Sequence, residues 1–142
     1  MRRFMAREND GRSAIMNLEK VVFGFFILLA ATLNFGFVYG DIEDPMHHQM
    51  WEFFPVLVVN LIATVLKFGD RTHVGAIHLA SSLVAMLQLV GAALVWFFAT
   101  PGADGQLTPA VMAGIVSLSA GALLANIVSV VIMVVETTIQ RR

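Results

Sequence analysis

Long uncharged runs alternate with short charged segments along this chain of 142 residues. The first run, 21–39, carries no charge. It makes roughly 28 Å of helix, which matches a hydrocarbon core of about 30 Å. The second run, 53–67, is shorter, a length that also suits a buried or re-entrant helix. It is assigned as spanning because Lys67 can snorkel at one end while Trp51 and Phe53 sit in the interface at the other. Pro55 then falls in the first turn, where a missing N–H costs little. The runs 74–99 and 108–135 exceed what an upright helix needs, so tilt or protrusion is expected.

Loop charge orients these spans. The nine positive residues are Arg2, Arg3, Arg7, Arg12, Lys20, Lys67, Arg71, Arg141 and Arg142. With four spans all of them fall on one side, and the loops 41–52 and 101–108 carry none. A three-span chain would split them. The four apolar runs predict an all-α integral membrane protein, an antiparallel bundle of four transmembrane helices, and the positive-inside rule predicts that both termini are cytoplasmic. Residues 1–17 read as a basic cytoplasmic tail, and 18–142 as a single transmembrane domain. The first apolar run is too long for the core of a signal peptide and no A-x-A site follows it, so it reads as an uncleaved helix.

Composition agrees. Hydrophobic residues make up 58% and charged residues 13%, against about 25% charged in soluble domains. Mean hydropathy is +0.78. An ordinary cytosolic enzyme, a disordered chain and a secreted mini-protein are excluded. With no cysteine, the chain has no disulfide, thiolate zinc site or cysteine nucleophile. A net charge of −1 gives no reason to expect nucleic-acid binding.

Helices in lipid approach one another through small residues. Ala113, Ser117, Gly121, Ala125 and Ser129, each four apart, make one such ridge on the last helix. It reads as packing within one bundle or as a subunit interface. Asn34, Asn60, Thr64, His78, Gln88 and Asn126 lie inside spans and are expected to point into the bundle. They serve either interhelical hydrogen bonding or a polar path. Asn60, Thr64 and Lys67 share one helical face, and His78, Ser81 and Ser82 share another. His47 and His48 stand beside carboxylates, which suits a divalent metal, but adjacent histidines space badly for one ion. A solvated loop is the favoured reading, and no metal or cofactor is expected. There is no GxGxxG, P-loop or H-E-x-x-H, so no enzymatic activity is expected.

The stretches Met16-Asn-Leu-Glu-Lys20, Leu33-Asn-Phe-Gly-Phe37 and Asn60-Leu-Ile-Ala-Thr-Val-Leu-Lys-Phe-Gly-Asp-Arg-Thr72 resemble a family of short bacterial inner-membrane proteins, a domain of unknown function. The resemblance runs from Met16 to about Ala99 and less clearly into the last helix. It implies a bacterial inner membrane and Met16 as the usual start. It brings no reaction, ligand or site residues.

Two functions from different classes follow. Asp41, Glu43, Asp44, Glu52 and Asp104 give the outer side five carboxylates and no positive charge. Rings of such groups in an oligomer concentrate cations at a mouth. The first expectation is a homo-oligomeric channel or permease-like unit for a small cation. The second is a non-conducting accessory subunit docking a larger membrane transporter or complex. The partners are the bilayer and either further copies or a larger membrane protein.

Overall fold

The computed structural model describes residues 2–70 and 72–140. Met1, Arg71, Arg141 and Arg142, together with the side chains of residues 2–6 and Met16, lie outside the described residues. Four helices carry the chain: α1 (Arg2–Val38), α2 (Met50–Lys67), α3 (His73–Phe98) and α4 (Pro109–Gln140), with a short 3-10 turn at Pro45–His47. No strand occurs among the described residues. All four helices are long and apolar enough to cross a membrane, α1 over Arg7–Val38.

Each boundary has a local cause. α1 runs straight through the basic segment, which is helical rather than separate from the first span. Good helix formers dominate there, and Glu8 pairs with Arg12 one turn on at 3.8 Å. Gly40 lies just past the end of α1 with φ +121°, where a Cβ would press on His47. α2 starts at Met50, three residues ahead of the apolar run. Pro55 therefore sits in the second turn rather than the first, and the Trp51 carbonyl has no helical N–H to accept. Trp51 is 84% exposed, so solvent or headgroups can reach that carbonyl. Thr72 caps α3 by accepting from the Gly75 N–H at 3.0 Å. α4 opens on Pro109, where φ is already helical, and continues past Val135 to Gln140.

α1 packs on α2 and α4, and α3 packs on the same two, most extensively on α4. Small side chains explain that close approach. Ser82, Ala85 and Ala92 on α3, and Ala122, Ala125 and Ser129 on α4, are all buried. Leu89, Met112, Ile115 and Val116 fill the core between them. One end of the bundle is closed by aromatic rings. Phe37 packs against Phe53 (centroids 5.2 Å apart) and Trp96 (6.2 Å). The outward surface of the spans is apolar, with Phe25, Leu28, Leu61, Leu87, Leu94, Leu124 and Val131 exposed.

Candidate functional site

Opposite the aromatic end, the last turn of α2 brings Lys67 to the bundle interior. Val56, Asn60, Ala63, Thr64 and Lys67 form its buried face. Asn60 Nδ2 donates to the Val56 carbonyl at 2.8 Å, and Thr64 Oγ1 to the Asn60 carbonyl at 2.8 Å. Lys67 is 2% exposed and does not snorkel. Its Nζ donates to Ser82 Oγ on α3 and, at 2.8 Å, to Ser129 Oγ on α4. Ser81 Oγ lies 2.6 Å from Ser129 Oγ and donates to the His78 carbonyl at 2.8 Å. The expectation of an interfacial lysine fails for a specific reason. Ser82 on α3 and Ser129 on α4 are small, which leaves room for the lysine stem and offers hydroxyl oxygens to its head. Without such partners a buried ammonium costs several kcal/mol.

His78 lies one turn before Ser82 on the same face of α3 and is 2% exposed. Neither of its ring nitrogens has a hydrogen-bond partner among the described residues. The Phe23 ring meets it edge-on at 5.7 Å. Asp70, in the loop between α2 and α3, is exposed. Its Oδ1 accepts from Thr72 N at 2.9 Å and Thr72 Oγ1 at 2.7 Å. Those two bonds hold the Asp70 carboxyl below its ordinary range. The carboxylate also occupies the space that a side chain at Gly75 would need. It forms no ion pair with Lys67; the pairs among the described residues are Arg12–Glu8 and His47–Asp44.

The other polar positions divide by helix. Asn34 is fully buried and bridges to α4, where its amide nitrogen donates to the Ser119 carbonyl at 3.1 Å and its oxygen accepts from Leu123 N at 3.0 Å. This orientation of the amide is the one that satisfies both partners. Gln88 packs on the bare backbone of Gly121. Asn126 is 4% exposed. On the small-residue ridge, Ala125 and Ser129 are buried, Ala113 and Gly121 are half-buried and Ser117 is exposed. A row of residues four apart drifts about 40° around a helix at each step, so it does not stay on one face.

At the aromatic end, His48 is 1% exposed. Its Nδ1 is 2.7 Å from the Phe37 carbonyl and its Nε2 2.8 Å from that of Asp41. Both nitrogens are thus committed to backbone, which corrects the picture of a solvated His48 and leaves none facing a metal. His47 Nδ1 accepts from Asp41 N at 3.2 Å. Asp41, Glu43, Glu52 and Asp104 are exposed and Asp44 is half-buried. Three of these carboxylates shape their own loops: Asp41 accepts from Glu43 N, Asp44 from Met46 N and Asp104 from Gln106 N.

A family model described as a family of unknown function (DUF6394) matches residues 47–137, more than half of the chain. The chain belongs to DUF6394. The DUF6394 match takes in α2, α3 and most of α4, so it includes Lys67, Asp70, His78, Ser81, Ser82 and Ser129. It extends over the last helix, beyond the stretch whose resemblance the sequence displays most clearly, and it does not include α1. No curated protein and no solved structure matches the chain.

Sequence reading named Lys67 with Asn60 and Thr64, and His78 with Ser81 and Ser82, as two separate faces. Their convergence on Ser129 was not legible, and Asp70 was missed. The i, i+4, i+7 spacing of Asn60, Thr64 and Lys67 was the available signal that the lysine turns inward.

Proposed function

We propose that this chain is a non-conducting membrane subunit that acts by docking a larger membrane-protein complex. Its four helices run antiparallel, with both termini and the Lys67 end in the cytoplasm and the aromatic end outside. The bacterial inner membrane is the proposed location. One observation carries the functional reading. Asn34, Asn60, Thr64, Lys67, His78 and Asn126 are all buried within a single chain, and Gln88 is half-buried. A path between copies would be lined by the outward faces of the helices, which are apolar apart from isolated hydroxyls such as Thr32 and Ser117 and so offer ions few oxygen ligands. A path through one chain would have to pass the Phe37, Phe53 and Trp96 rings and a buried ammonium. An accessory subunit requires neither path.

The cation channel or permease remains the second reading, favoured by the five carboxylates of the outer loops. Native mass measurement in mild detergent, combined with flux from liposomes, separates the two. A heteromer from the native membrane and liposomes as tight as protein-free controls are expected. A closed homo-oligomer that passes potassium or sodium would overturn the accessory reading. In that case, neutralising Asp41, Glu43 and Asp44 together would cut the flux most at low ionic strength.

A further inference from the structure

The hydroxyl cluster at Lys67 surrounds a buried ammonium that has no anionic partner among the described residues. An ammonium carries three N–H donors. Those of Lys67 reach Ser82 Oγ and Ser129 Oγ, which leaves one N–H without an acceptor among the described residues. Ser81 spends its hydroxyl hydrogen on the His78 carbonyl, so the short bond between Ser81 and Ser129 is donated by Ser129. Ser82 accepts from Lys67 and its own hydroxyl hydrogen has no acceptor among the described residues. His78 is buried with both ring nitrogens unpartnered among the described residues, and in either neutral tautomer one of them is a donor and the other an acceptor. Three donors without an acceptor among the described residues therefore lie on or against one face of α3: the third Lys67 N–H, the Ser82 O–H and a His78 ring N–H. Ser82 links them, since it bonds Lys67 directly and follows His78 by one helical turn.

The charge is also unmatched. No carboxylate lies within ion-pairing distance of Lys67 among the described residues. Asp70 is the acidic group nearest in sequence, but its oxygen is engaged by Thr72 and it is exposed, where solvent screens it. Buried charges in proteins are ordinarily paired. The group missing from this cluster is an acceptor that bears negative charge.

We propose that Lys67, Ser82 and His78 bind a small inorganic anion of halide size. Lys67 and His78 are each 2% exposed, so the site has no open face for a phosphate ester or a lipid headgroup. A halide accepts from ammonium, hydroxyl and imidazole donors without demanding a fixed geometry. The site is independent of the docking role proposed above and stands whether or not that role does.

Chloride is the probe. Thermal unfolding of the full chain in detergent is followed in chloride and in gluconate at matched ionic strength. The midpoint is expected to rise with chloride and to saturate. Ser82→Ala should raise the half-saturating chloride concentration about tenfold or more, because it removes a hydrogen bond to a charged group. Lys67→Met should abolish the chloride-dependent shift while still folding, since an apolar side chain of similar length fills the same space. Equal midpoints in chloride and gluconate would overturn the proposal and leave a water molecule as the acceptor. A chloride shift that survives in Lys67→Met would also overturn it, as would stabilisation by inorganic phosphate alone.

Discussion

At the scale of single residues, the costs of burial in this bundle are set by what each polar side chain meets. Asn34 meets the α4 backbone at Ser119 and Leu123. Asn34→Leu removes both bonds, and hydrogen bonds between helices in lipid are worth about 0.6–2 kcal/mol. Thermal or denaturant unfolding in detergent should show a loss of that size. Gly121 meets the Gln88 amide, which leaves no space for a larger side chain. Gly121→Leu should destabilise by about 1–3 kcal/mol through overpacking. Val130→Leu, at a half-buried position off that contact, is the control. Equal tolerance of the two changes would mean that α3 and α4 do not meet at Gly121. Lys67 behaves differently. In gluconate, Lys67→Met should move the midpoint little, because the desolvation cost of the buried ammonium goes together with its two hydroxyl hydrogen bonds.

At the scale of the element, the start of α3 depends on a relay rather than on its own sequence alone. The Asp70 carboxylate fixes Thr72, and Thr72 caps the helix at Gly75. Because the folded carboxyl is held below its ordinary range, its contribution is present above the unfolded value. It is lost as the pH falls through the lower folded value. Exposure of Asp70 keeps the effect local. Amide exchange at Gly75 should therefore quicken on strong acidification in the wild type. In Asp70→Asn, which retains an acceptor but no charge, it should change little with pH. Exchange at Gly75 that is insensitive to acid in both proteins would mean that Asp70 does not support the cap. The positions of α1 and α2 show the same dependence on neighbours. Pro55 is tolerated inside α2 because the carbonyl it orphans belongs to exposed Trp51.

At the scale of the whole molecule, orientation and closure are the testable properties. The chain has no cysteine, so single cysteines can be placed without background. Cysteine at Glu43 or Asp104 should react with an impermeant thiol reagent from outside, and cysteine at Asp70 only after the membrane is opened. Labelling of position 70 in intact cells would overturn the proposed orientation. Cysteines replacing Asn60 and Asn126 should stay unreactive from both sides, because both positions are buried within one chain. Reaction of either with a water-soluble reagent would reveal an aqueous path and favour the channel.

The four helices and, apart from the N-terminal half of α1, their approximate extents were legible from hydropathy and length, which are properties of a local run of residues. The charge asymmetry that suggests an orientation was legible for the same reason. The inward face of each helix was less so. In a soluble bundle, contrast between polar and apolar faces marks the interior. Here the outward face is as apolar as the core, so small residues and isolated amides are the only markers. They placed Asn60, Thr64 and Ser129 near the interior but did not say which helices meet. The tertiary structure decided that Lys67 turns inward rather than toward the interface, because α3 and α4 together supply the space and the hydroxyls. It decided equally that His48 is locked to the backbone of the α1 end and that His78 is left without a partner. Each outcome depends on side chains distant in sequence, such as Ser129 for Lys67 and Phe37 for His48, brought together by the packing of helices whose own sequences do not encode their neighbours.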